Sequence, residues 1–184
     1  MNLESNVWMT QVGYQNLLAK IAEKEKEYEQ VRDHRQIAFE LSGDGWHDNP
    51  EFNRMQQLEA NLNHTLKTLN DRLDVMRFIE ISDAMRNTQQ VEIGSVVYLR
   101  RYDLGDDSEY EEVWEIRGFD ETDLSQKHLA YNAPLVEKIM HLQVGDIAEE
   151  VQIGSRYFDI EVVKLFKTRQ LAGLKVVKEY MYIA

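Results

Sequence analysis

Three carboxylates, Asp44, Asp48 and Glu51, fall inside the stretch Ser42-Gly43-Asp44-Gly45-Trp46-His47-Asp48-Asn49-Pro50-Glu51-Phe52. Oxygen ligands on a single turn suit a hard cation. The same residue types are also what turns are made of, because Asp bonds its own backbone and Gly accepts positive φ, so both readings stand. His47 beside Asp48 raises zinc, which takes three or more well-spaced N or S ligands. Against it, the other histidines, His34, His64, His128 and His141, are scattered, and cysteine is absent. No G-x-x-x-x-G-K-S/T, G-x-S-x-G or H-E-x-x-H segment occurs, which removes support for phosphate-loop, serine-hydrolase and zincin chemistry. Trp46, Pro50 and Phe52 put large apolar groups on the same turn. Either a partner covers them or they fold back over the ends of the flanking helices.

Those flanking elements hold the turn out. Gly43, Gly45 and Pro50 break helix here, Gly through backbone entropy and Pro through its missing N–H and its effect on Asn49. Upstream, Thr10 is placed to cap a helix on which Tyr14, Leu17, Leu18, Ile21, Tyr28, Val31 and Ala38 recur at three- and four-residue steps, interrupted near Lys24-Glu25 and Arg35. From Thr10 to Leu41 such a helix reaches roughly 45 Å. Downstream, Met55, Leu58, Leu62, Thr65 or Leu66, Leu69, Leu73 and Met76 continue the alternation. Two long helices joined by a short turn run antiparallel, each covering the other's stripe.

Near Asp83–Gln90 the pattern changes to period two. Val91–Leu99 and Glu112–Arg117 read as strands around the turn Gly105-Asp106-Asp107-Ser108, Ala133–Met140 as a short helix with Pro at its first turn, and 147–153 and 157–165 as further strands. The expected fold is α+β: an antiparallel coiled-coil hairpin over residues 1–86, then an antiparallel β-domain over 87–184. Lys175–Ile183 reads equally as an edge strand or a helical turn.

The 184 residues are 43% hydrophobic with a net charge of −12, which supplies a core and disfavours non-specific nucleic-acid binding. No apolar run approaches the roughly 20 residues that span a bilayer, and the first residues lack a signal peptide's pattern. The expectation is therefore a cytoplasmic monomer without membrane association, and without cysteine it has no disulfide framework.

In order along the chain, Met9-Thr10-Gln11-Val12-Gly13-Tyr14-Gln15-Asn16-Leu17 resembles M-T-x-x-G-x-x-x-L, and Gly43-Asp44 with Asp48-Asn49-Pro50-Glu51-Phe52 resembles G-D-L-x-E-N-A-E-Y. Val91-Glu92-Ile93-Gly94-Ser95-Val96-Val97 and Asn132-Ala133-Pro134-Leu135 are similar to V-x-x-G-S-x-V and S-P-L/M. These are the segments of the Gre family of bacterial transcript-cleavage factors, GreA and GreB. The resemblance implies an FKBP-like fold for residues 91–166 and RNA polymerase as partner. It implies a hairpin that enters the secondary channel close to the nascent RNA 3′ end, and a second domain docked on the rim. By position, Asp44 and Asp48 match the tip carboxylates that help hold a Mg2+ shared with the polymerase active site. Trp46, His47, Asn49, Glu51 and Phe52 fall at the polymerase-facing tip. Asn132, Pro134 and Leu135 fall at the rim contact, where Pro134 also reads as a plain helix start. The resemblance makes the chain an accessory factor, with catalysis in the polymerase.

This tip departs from the family by one extra residue between the acids and by Asp in place of Glu. Stimulated cleavage of backtracked RNA is the leading expectation, and channel occupancy or inhibition without cleavage is the alternative. A prolyl isomerase pocket built from Trp114, Tyr131, Tyr157 and Phe158 is a third reading.

Overall fold

The computed structural model describes residues 6–174, except for the side chain of Asp44; the alternatives for 175–183 lie outside the described residues. The elements are β1 (Val7–Met9), α1 (Gln11–Ser42), a 3-10 turn (Gly43–Asp48), α2 (Pro50–Asp74), β2 (Met76–Phe78), β3 (Val96–Asp103), β4 (Glu109–Arg117), β5 (His128–Ala130), α3 (Pro134–Ile139), β6 (Ile147–Ile153) and β7 (Arg156–Phe166). They divide into two units: Tyr14–Arg77, and Phe78 onward together with Trp8–Gly13.

The first unit is the helical hairpin. Partly or fully buried positions recur along α1 at Tyr14, Leu17, Ile21, Lys24, Tyr28, Val31, Arg35, Ala38 and Ser42, an unbroken alternation of three and four. On α2 the matching positions are Phe52, Met55, Glu59, Leu62, Leu66, Leu69 and Leu73. Two expectations are corrected. Leu18 and Leu58 face outward at 39% and 38% exposure, and the apparent gaps at Lys24 and Arg35 are seam positions. At Arg35, and at Glu59 in place of Leu58, the physical reason is a cross-helix pair: Arg35 Nε lies 2.6 Å from Glu59 Oε2, and the Tyr28 hydroxyl donates to Glu59 Oε1 at 3.3 Å. A seam tolerates a charge where the partner is directly opposite, and such a pair also selects register.

The second unit is built on a five-stranded sheet of order β5-β4-β3-β7-β6. It is mixed rather than antiparallel throughout, because β4 and β5 pair in parallel, Glu115 opposite His128. A parallel neighbour requires a crossover, which residues 118–127 provide through a 3-10 turn capped by Asp123 and closed by Lys127 in the left-handed region. Strand β3 starts at Val96, later than expected, because Gly94 at φ +94° turns the chain first. Val97, Leu99, Ile116, Val136, Ile139, Ile160 and Val162 are buried in the core. Trp114 and Phe158 belong to that core too, whereas Tyr157 is half exposed. The four aromatics therefore do not line one isomerase pocket.

The opening motif has a local physical cause within this unit. Met9 is buried, and Thr10 Oγ1 accepts from the Gly13 amide at 3.3 Å as the helix N-cap. Glu121 receives both the Thr10 amide and its hydroxyl at 2.8 Å. A Cβ on Gly13 would meet only the Glu121 carboxylate end, at 2.3 Å, whereas one on Gly118 would meet Glu121 at 2.1 Å and the Met9 backbone at 2.9 Å. A flexible carboxylate can move aside and backbone cannot. Gly118→Ala should therefore destabilise this unit by about 1–3 kcal/mol, with Gly13→Ala milder. The check is the denaturant midpoint at constant m-value; equal midpoints for Gly118→Ala and the parent would refute the close approach.

Candidate functional site

At the tip, α1 ends at Ser42 and six residues wind as a 3-10 turn before Asn49 caps α2, with Pro50 at its first position. Proline is well placed there, since its absent N–H has no partner to lose. Glu51 is consequently a helix residue, not part of the turn. Arg54 holds it in a two-point pair, Nε to Oε2 at 3.0 Å and Nη2 to Oε1 at 2.9 Å, and that hydrogen bonding keeps its carboxyl below the usual range. Asp48 ends the 3-10 turn exposed to solvent, and Asp44 lies inside the turn with its side chain outside the described residues. Among the described residues no group of three His, Cys, Asp or Glu is arranged to hold a metal. His47 lies with its ring centroid 3.3 Å from that of Trp46.

The aromatic residues fold back. Phe52 is 5% exposed, with its ring 5.0 Å from Trp46 in an edge-on arrangement and 6.0 Å from Phe39. Arg35 lies over the Phe52 ring at 6.0 Å. Phe52 is thus a packing residue of the tip, while Trp46 is half buried and His47 exposed. Asn49 is committed inward. Its Oδ1 accepts from the Glu51 and Phe52 amides at 2.9 and 3.4 Å, and its Nδ2 donates to the Ala38 carbonyl at 3.2 Å and to Ser42 Oγ.

In the second unit, Asn132 Oδ1 accepts from the Asp120 amide at 2.9 Å, where Asp120 has φ +59°. That bond braces the crossover loop. Leu135 packs against the core, and Pro134 starts α3 with its ring exposed. Of the three, Pro134 alone presents its side chain freely outward.

The sheet also encloses a charge cluster with no counterpart in the sequence expectations. Glu115 is 2% exposed. Arg86 Nη2 lies 2.5 Å from its Oε1, His128 Nε2 lies 3.2 Å from its Oε2, Arg169 Nη1 pairs with the same oxygen, and Arg117 Nη1 stands 3.8 Å away. Burial pushes the Glu115 carboxyl upward. The His128 imidazole and the charges of Arg117 and Arg169 outweigh it and hold the group at about 2, against an ordinary 4.5. The arginines are anchored in turn: Arg86 Nε donates to the Gly94 carbonyl at 2.8 Å, and Arg169 Nη2 to the Gln126 carbonyl at 2.9 Å. Lys167 Nζ donates to the Ala84 and Arg86 carbonyls at 3.1 and 2.9 Å. A signal was present in β4, where Glu115 and Arg117 alternate with Trp114 and Ile116 on a strand covered on both faces.

Residues 86–165, which contain this cluster except for Arg169, match the family model for the C-terminal domain of the transcription elongation factors GreA and GreB. Over these residues the chain is similar to the GreA/GreB C-terminal domain. A curated relative, transcription elongation factor GreA of Maricaulis maris (strain MCS10), is 26% identical over 102 residues, covering 55% of this chain. The match spans 61% of that relative's length. Among solved structures, GreA factor homolog 1 of Thermus thermophilus aligns at a TM-score of 0.40 and 18% identity, covering 88% of this chain and 99% of that one. A GreA/GreB factor from Nitrosomonas europaea aligns at 0.32 and 15% identity, covering 87% and 97%. Within the matched Gre domain lie Glu115, Glu121 and Pro134; the acidic tip falls outside it. No helix among the described residues is long and apolar enough to cross a membrane.

Proposed function

We propose that this chain is a transcription elongation factor acting on bacterial RNA polymerase in the cytoplasm, and that it stimulates cleavage of backtracked RNA by the polymerase active site. The Gre domain match over residues 86–165 carries this reading. It is supported by a two-helix hairpin that ends in a short turn with Asp48 exposed. In this reading Asp44 and Asp48 offer carboxylate oxygens to a Mg2+ completed by the polymerase, where a second cation would orient the attacking water and stabilise the leaving oxygen. Glu51, held by Arg54 within α2, is left out of the metal set in this reading. Trp46 and His47 face the channel, and Pro134 contributes the rim contact.

Replacing Asp44 and Asp48 together by Asn removes both charges and leaves the backbone of the turn intact. Cleavage of a stalled, backtracked complex should then fall to the unstimulated rate, while affinity for core polymerase stays within about threefold, because two exposed charges contribute little to docking. Stimulated cleavage persisting in the double variant would refute the assignment. The extra residue between the acids favours a second reading, occupancy of the channel without cleavage. That reading is identified by slowed RNA synthesis with no short 3′ fragments from the parent protein.

A further inference from the structure

We propose that Asn49 is the positioning residue of the tip: its side chain hydrogen-bonds the end of α1 and the first turn of α2 at once, and so sets where the acidic turn points. The proposal rests on the function above for its purpose, and on geometry for its substance. The amide of Asn49 is saturated. Its oxygen takes two of the otherwise unpartnered N–H groups of α2, and its nitrogen takes the Ala38 carbonyl and the Ser42 hydroxyl at the end of α1. Ser42 Oγ in turn donates to the Ala38 carbonyl at 2.6 Å. The backbone joins the same frame, since the Asn49 amide donates to the Trp46 carbonyl at 3.2 Å and Asn53 Nδ2 to the His47 carbonyl at 3.3 Å. The carbonyls that would fray the 3-10 turn are thereby held from its α2 end.

Asp48 immediately precedes this frame, with both neighbouring peptide groups fixed by it. Losing the bridge leaves α2 capped but lets Gly43–Asp48 move, and Gly43 and Gly45 offer no side chains to resist. An ordinary N-cap would need only the oxygen of Asn49. The nitrogen's two bonds to α1 are the feature that a cap does not explain.

Asn49→Ser separates the two roles, because Ser caps a helix about as well as Asn but its single hydroxyl is too short to bridge to α1. In the parent and variant proteins, backbone amide exchange is measured at residues 43–48 and within α2, beside polymerase affinity and cleavage of a backtracked complex. Exchange at 43–48 should rise about tenfold, the worth of one net hydrogen bond, with α2 amides at 59–69 unchanged. Cleavage should fall roughly 10- to 100-fold, the scale of a misplacement near 1 Å, with affinity within about threefold. Ser42→Ala should loosen the turn less, and adding it to Asn49→Ser should change nothing more, since they share one bridge. Unchanged exchange at 43–48 overturns the proposal, and so does faster exchange with undiminished cleavage. If the parent protein itself stimulates no cleavage, the proposed function fails, while the exchange comparison still decides whether Asn49 holds the turn.

Discussion

Glu115→Gln should unfold the second unit at temperatures where the parent protein is fully folded, with a loss of about 3–5 kcal/mol. The substitution keeps shape and some hydrogen bonding but removes the one negative charge on which Arg86, Arg169 and His128 converge. Arg86 and Arg169 keep their bonds to the Gly94 and Gln126 carbonyls and Arg86 its pair with Asp83, but the buried positive charge then loses the carboxylate at its centre, and removing one partner of a buried ion pair costs more than the pair itself contributes. Trp114, next to Glu115 in the core, reports the transition by fluorescence. Acid adds a second signature. The Glu115 carboxyl is held at about 2 in the folded state against an ordinary 4.5, so its contribution is complete above about pH 4.5 and is lost as pH falls toward 2. A depression of that size corresponds to about 3 kcal/mol. The parent should therefore lose more stability over this range than Glu115→Gln does. Superimposable acid profiles, or a variant as stable as the parent at neutral pH, would show that the cluster is not a stabilising centre.

Phe52→Ala should have an effect of similar size on the hairpin, about 3–5 kcal/mol as for other buried aromatic truncations. Phe52 is the most enclosed of the tip aromatics, in ring contact with Trp46 and Phe39 and beneath Arg35. Removing it opens a cavity at the end of a thin two-helix structure that has no second layer to collapse into the space. Trp46 would lose its edge-on partner and move into water. Helical circular dichroism should melt earlier, and Trp46 emission should shift to the red before the melt. A loss under about 1 kcal/mol with unaltered Trp46 emission would place the hairpin's strength elsewhere along the seam.

What could be read in advance follows from which interactions are local. Thr10 capping α1, Pro134 opening α3 and the break after Ser42 each depend on residues within one turn of one another, and each was legible from residue type. The seam was legible except where charge replaced an apolar letter. Leu58 matched the pattern, yet Glu59 occupies the position, because its partner Arg35 lies on the other helix and no window along the chain contains both. Strand β5 is three residues long, too short for alternation to register, and its parallel pairing depends on a crossover rather than on its own composition. Within the candidate site, the acids and aromatics of the tip were visible as a cluster. Their division into outward Asp48, inward Phe52 and bridging Asn49 was not, since that depends on how the two helix ends meet. The Glu115 cluster draws on residues 86, 115, 117, 128 and 169, a convergence that only the folded sheet creates.

Lys167 and Arg169 give the family domain a border of its own. The matched segment closes at residue 165, just short of the two cations that fasten onto residues 84, 86 and 115. A recombination event or an engineered fusion that honours the family border would carry away a carboxylate and leave behind one of its counter-charges. The physically closed unit in this chain is therefore longer than the matched segment, and residues after the last strand bear on the charge balance at the middle of the sheet.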